Sequence, residues 1–202
     1  MKVVYIVTGV LLATVLMAVL ASWNRQTSGK DLSVENNQDT TKPKVQQAKE
    51  NPYEGLRHIA FSITPEKLGI SLPTGKTTVY GVVMDWGIDG ATATVISFQT
   101  GDASFYLSTG GGVIGGGRHK NVNSASKQFV RLAQSFLKKA TKTESTGLPV
   151  TDQVKFYLLT NNGIYGGQEI MKNFENSSSD WMKLFEEGNK VLSELRKTSE
   201  NK

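Results

Sequence analysis

Eighteen consecutive residues, Val3 to Leu20, carry no charge, and only Tyr5, Thr8, Gly9 and Thr14 break their apolar character. At 1.5 Å rise per residue they span about 27 Å as a helix, close to the roughly 30 Å hydrocarbon core of a bilayer. Lys2 precedes the run, and no acidic residue appears before Asp31. Two readings fit. A signal peptide would be cut after small residues, and Val19-Leu20-Ala21 before Ser22 has that form. An uncleaved anchor would keep the helix, with Trp23 at headgroup level and Arg25 just beyond. The run exceeds the usual 7–15 residues of a signal-peptide core, so a single-pass anchor over residues 1–23 is expected. Either way the remainder is expected outside the cytoplasm, tethered or secreted.

The next segment, Asn24 to Pro52, is rich in Asn, Gln, Thr, Ser and Lys, with Leu32, Val34, Val45 and Ala48 as its aliphatic residues. Such a composition buries too little surface to offset chain entropy and predicts a flexible tether. As a coil of 29 residues it would reach roughly 30 Å on average.

The 150 residues from Tyr53 to Lys202 are enough for one domain with its own core. Thr64-Pro65-Glu66-Lys67-Leu68-Gly69 predicts a capped helical turn. Thr78–Met84, Ala91–Phe98 and Ser104–Thr109 are β-branched or aromatic segments joined by Asp85–Gly90 and Gln99–Asp102, an antiparallel meander. Asn123–Ala140 is amphipathic: Phe129, Val130, Leu132, Ala133, Phe136, Leu137 and Ala140 share one arc. Gln153–Thr160 reads as a further strand and Ser179–Lys197 as a second amphipathic helix, with Trp181, Leu184, Phe185, Val191, Leu192 and Leu195 on one side. One-sided helices and a one-sided sheet bury their apolar faces against each other. The expected fold is α+β, an antiparallel sheet of meander and hairpins packed against two amphipathic helices.

The chain echoes itself at an offset of 51: Phe105–Gly116 aligns with Phe156–Gly167, with seven of twelve positions identical. Each copy reads as a strand, a two-residue turn (Gly110-Gly111 or Asn161-Asn162), a glycine, a short strand ending in a glycine pair, and then a helix. Duplication and convergence on common hairpin residues both account for it. The stretch from Gly81-Val82-Val83-Met84-Asp85-Trp86-Gly87 to Ser104-Phe105-Tyr106-Leu107-Ser108-Thr109-Gly110-Gly111-Gly112-Val113-Ile114-Gly115 resembles a group of small bacterial proteins without assigned function. They share G-V-x-M-D-x-G followed by S-x-Y-x-S-x-G-G-G-x-I-G. The resemblance implies no activity and carries over no functional residue.

Composition narrows the chemistry. With no cysteine there is no disulfide framework, thiol nucleophile or thiolate metal site, and His58 and His119 are the only histidines. No metal or other cofactor is expected. Gly110, Gly111, Gly112, Gly115, Gly116 and Gly117, followed by Arg118, His119 and Lys120, offer bare backbone and positive charge ahead of a helix, an outline suited to an anion. The context argues against a nucleotide: the preceding strand belongs to a meander, and Arg118-His119 stands where a phosphate loop has Lys-Ser/Thr. The glycines read first as a hairpin that lets strand and helix pack closely, and these nine residues remain the candidate ligand site.

From Arg118 to Lys142 there are seven basic residues and no acidic one. Lys127, Arg131 and Lys138 form a stripe on the polar side of the predicted helix, suited to an acidic protein or an anionic envelope component. No aromatic residue interleaves with them to stack bases, so nucleic acid is not expected. Asp85-x-Gly87-x-Asp89-Gly90 imitates the opening of a calcium loop, but Ile96 stands where the closing Glu belongs. No nucleophile elbow or zinc-helix motif is present, and Asp85 with Asp89 is the one carboxylate pair worth following. The expectation is a non-enzymatic binding domain tethered outside the membrane. The alternative is a ligand-binding or hydrolytic domain built on the glycine loop with Arg118 and His119.

Overall fold

The computed structural model describes residues 51–200, and the region from Pro52 onward forms one compact unit. The expected anchor and nearly all of the expected tether lie outside the described residues. Among the described residues no helix is long and apolar enough to cross a membrane.

The architecture is α+β, as expected. In chain order the elements are α1 (Tyr53–Ser62), β1 (Val79–Ile88), β2 (Ala91–Phe98), β3 (Ala103–Leu107), β4 (Gly112–Val113), α2 (Lys120–Ala133), β5 (Thr141–Thr143), β6 (Gln153–Thr160), β7 (Gly163–Ile170), α3 (Met171–Glu175) and α4 (Met182–Glu200). The strands form a seven-stranded antiparallel sheet in the order β4-β3-β2-β1-β6-β7-β5, with helices on it. The helix expected over 123–140 starts earlier and tightens into a 3₁₀ turn at Gln134–Phe136. β1 runs four residues past the expected Met84, so Asp85, Trp86 and Gly87 are strand residues. The connecting turn shrinks to Asp89-Gly90, both with positive φ (47° and 77°), as a two-residue hairpin between twisted strands requires.

The sheet is covered on both faces, not one. Register places Val82, Met84, Trp86, Val95, Phe156 and Leu158 on the face beneath α2 and α4. There Trp181 stacks on Phe156 at 5.2 Å, and Phe185 meets Trp86 edge-on at 5.5 Å. The opposite face presents Val83, Ile96, Phe98, Tyr106, Tyr157 and Leu159 to Tyr53 and Ala60 of α1, with Leu68, Ile70 and Leu72 of the following segment packed alongside. The turn expected at Thr64–Gly69 is present: Ile70 N–H donates to Pro65 O (3.0 Å), and Gly69 has φ 68°. Every residue of β1 is consequently buried, which removes the alternation that marks a one-sided strand.

The internal echo survives in part. Phe105 and Phe156 both lie on the α2/α4 face, and Tyr106 and Tyr157 both face α1. The hairpins then diverge. Asn161-Asn162 makes the expected two-residue turn, with Thr160 paired to Gly163. In the first copy β3 ends at Leu107, and Ser108–Gly111 form a longer turn before Tyr106 pairs with Gly112. The register differs by three residues, so β4 contributes only two residues where β7 contributes eight.

Candidate functional site

The densest polar chemistry in the fold surrounds Asp85, in the middle of β1 and fully buried. Its strand neighbours are Thr94 of β2 and Lys155 of β6. Arg57 of α1 donates to Asp85 Oδ2 through Nη2 (2.5 Å) and Nε (3.1 Å). The Thr94 hydroxyl donates to Asp85 Oδ1 (2.6 Å) and is hydrogen-bonded to the Tyr53 hydroxyl (2.7 Å). Burial pushes the Asp85 carboxyl above the ordinary carboxylate range, while Arg57, Thr94 and the charge of Lys155 pull it back. Burial, reinforced by the Asp85 charge, pushes the Tyr53 phenol up to about 12. The Arg57 guanidinium also stands 4.7 Å from the Phe61 ring centroid and 5.7 Å from that of Tyr157.

This is a closed network. Both carboxylate oxygens are engaged, the guanidinium is flanked by two rings, and Asp85 is fully shielded from solvent. Its chemistry is that of a fastener holding α1 on the sheet. Asp89 sits in the exposed turn after β1, so the carboxylate pair suggested by the sequence is split between a buried strand and a surface turn. Among the described residues no group of three His, Asp or Glu side chains stands close enough to hold a metal ion. Arg57 and Tyr53, which carry this network, escaped sequence reading. Their signal is the apolar spacing Tyr53, Leu56, Ala60 along a ten-residue helix.

The glycine loop lies at the β3–β4 end of the sheet. Gly110 and Gly111 turn the chain with φ of 101° and 85°, and at Gly112 a Cβ would stand 2.2 Å from the Phe105 carbonyl oxygen. The amides of Gly110, Gly115 and Gly117 have partners within the fold. Gly115 N–H donates to Ser104 Oγ (3.2 Å), and Gly117 N–H donates to Asp102 Oδ1 (3.0 Å). A carboxylate thus already occupies the position at Gly117 where an external anion would bind. Gly116 is buried against Leu195 of α4, whose Cδ2 would be 2.4 Å from an added Cβ. Arg118, His119 and Lys120 follow with exposed side chains at the start of α2.

The basic stripe is a surface feature. Lys127, Arg131 and Lys138 are exposed. Because α2 begins at Lys120, that residue joins them: positions 120, 127 and 131 fall within about 40° of one another around the helix. The three cover about 16 Å of its length. α2 contains no acidic residue. Nearby, Lys139 pairs with Asp180 (3.0 Å) in a solvent-exposed contact. α4 is built differently, with Lys190 on Glu187 and Lys197 on Glu194, each at 2.6 Å.

Compared with protein-family models, with curated proteins and with solved structures, the chain finds no significant match in any of the three.

Proposed function

We propose that this chain is a non-enzymatic binding domain, tethered to a membrane by its N-terminal apolar segment and displayed outside the cytoplasm. On this reading it holds an acidic protein or an anionic envelope component on the outer face of α2. The observation that carries the proposal is the contrast between its two long helices. α4 balances its charges within itself by Glu–Lys pairs, which is all that solubility asks of an exposed helix. α2 carries Lys120, Lys127 and Arg131 in one row with no acid among them, and Lys138 is exposed in the turn beyond the 3₁₀ segment. Like charges spaced along one face repel each other and weaken the helix, a cost that an anionic partner offsets.

The non-enzymatic part of the reading is supported by the Asp85 network, where the fully buried carboxylate is committed to Arg57 and Thr94. Membrane tethering rests on the length and composition of Val3–Leu20.

A photo-crosslinking residue at Gln128, exposed beside the basic row, tests the reading in intact cells expressing the full chain. A discrete crosslinked product is expected, lost when Lys127, Arg131 and Lys138 are changed to Glu. The same probe at Lys190 on α4 is expected to give none. A product that survives the triple reversal, or equal capture from α4, would remove the basis for the proposal.

A further inference from the structure

The two faces of the sheet are covered by unlike means. On one, α2 and α4 lay long apolar stripes against the strands. On the other, α1 is ten residues long and buries Tyr53 and Ala60, while Glu54, Gly55, His58, Ile59 and Ser62 stay exposed. A helix of that length is marginal in water without tertiary support, so its turns and its docking are kept or lost together. The segment after it lays part-buried Leu68, Ile70 and Leu72 on the same cluster. We propose that residues 53–72 are a releasable strap, which lifts from the sheet as one unit while the strands, α2 and α4 stay folded.

The strap is fastened by side chains. Among the described residues, no backbone–backbone hydrogen bond joins residues 54–72 to the sheet, and those they make stay within residues 52–72. The Tyr53 hydroxyl meets that of Thr94, Arg57 donates to Asp85, and the Tyr80 hydroxyl donates to Ile63 O (2.8 Å). All of these open without breaking the strand ladder. The attraction between Arg57 and Asp85 is offset by the water both have lost, and release returns that hydration, so the pair adds little net free energy to closure.

The chain just beyond the strap is clamped instead. Asn161, at the β6–β7 turn, donates through Nδ2 to Lys76 O (3.0 Å) and to Pro73 O (3.4 Å), and its Oδ1 accepts from Thr78 N–H (2.9 Å). Gln134 brackets the same stretch, donating to Thr77 O (3.1 Å) and accepting from Val79 N–H (2.8 Å). Residues 73–79 are thus fixed to the body, and the strap pivots where that clamp begins.

The body keeps its order without the strap. All seven strands remain paired, and the opposite face retains its own core, with Trp181 on Phe156 and Phe185 on Trp86. Release uncovers Ile96, Phe98, Tyr106, Tyr157 and Leu159 around the carboxylate of Asp85. The device is a switch between a covered and an open sheet face. Its handle is the chain before Tyr53: whatever holds or pulls that segment acts on α1 before any other element, whether or not a membrane is what holds it.

Native-state hydrogen exchange of the full chain in non-ionic micelles, over a series of low urea concentrations, tests the strap. The amides of residues 57–62, bonded within α1, are expected to exchange about a hundredfold or more faster than those of β1 and β6. Their exchange should also depend less on urea, because less surface opens. Val191 of α4 is fully buried on the other face. Val191→Ala is expected to speed exchange in β1 and β6 about tenfold and leave the α1 amides unchanged. One common rate and urea dependence for α1 and β1 would overturn the proposal, as would equal acceleration of both in Val191→Ala. Should that variant fail to fold, the urea series on the unaltered chain decides alone.

Discussion

Arg57 reaches from α1 to place both Nη2 and Nε on a single oxygen, Oδ2, of Asp85 at the centre of the sheet, leaving Oδ1 to the Thr94 hydroxyl. The two side chains are 11% and 0% exposed, so both charges have left most of their water behind. Desolvation of such a pair costs several kcal/mol per ion, and attraction repays it only while both partners are present. The pair therefore specifies where α1 docks more than it adds to stability.

Removing one partner should expose that debt. Asp85→Ala leaves Arg57 nearly buried without a counter-charge, and urea unfolding should show a loss of about 3–5 kcal/mol. Replacing both residues by apolar ones of similar volume, Arg57→Met with Asp85→Leu, should recover most of it. If the double variant is as unstable as Asp85→Ala, the cost lies in lost contacts and not in a stranded charge.

Alkaline titration offers a second check. Tyr53, Tyr80, Tyr106 and Tyr157 all have their phenols raised, burial being the first cause in each, and Tyr53 reaches about 12. A phenol raised in the folded state holds its proton where the unfolded chain, near 10, has lost it. Its contribution to stability is thus full below pH 10 and disappears as pH climbs toward 12. Phenolate absorbance should lag behind that of free tyrosine and then rise with unfolding. Tyr53→Phe should remove the highest-pH component.

Glycines under the helices should behave differently from glycines in open space. A Cβ at Gly167 would lie 2.1 Å from Trp181 Cζ2, and that ring is fixed against Phe156 and Phe136. Gly167→Ala should cost about 1–3 kcal/mol by overpacking. At Gly116 the nearest atom is the far end of Leu195, which rotates more readily, so Gly116→Ala should cost less. Gly55 in α1 has nothing within 4 Å, and Gly55→Ala should stabilise by about 0.5–1 kcal/mol. Thermal melts of the three variants give the order directly.

The two long helices were readable in the sequence because each keeps one wet side: α2 and α4 show their apolar stripes because their outer faces are polar. β2 and β6 occupy the expected residues although they are buried almost throughout, because β-branched and aromatic residues mark them. β1 loses its pattern at Asp85-Trp86-Gly87 because helices cover both sides of it, and an acid with a glycine in that setting looks like a turn. α1 is short, carries Gly55 and has no side-chain cap at Pro52, so its Tyr53, Leu56, Ala60 periodicity is easy to pass over. The glycine loop was legible as a hairpin against a helix. That Asp102 would fold back onto Gly117 was not, since the contact spans 15 residues and depends on the turn geometry. The basic row was visible as composition. The juxtaposition of Thr143, Gly166 and Tyr157 on the α1 face was not, because they meet through strands that pair out of chain order, β5 on β7 and β7 on β6.

Whether the exposed row on α2 binds an anionic partner is tested most directly by titration with an acidic polymer. Full-length protein in zwitterionic nanodiscs is titrated with polyglutamate at low and at raised salt, alongside the variant with Lys127, Arg131 and Lys138 changed to Glu. Saturable binding is expected, weakening as salt rises and falling about tenfold or more in the variant. Equal affinity of the two proteins at low salt would contradict it.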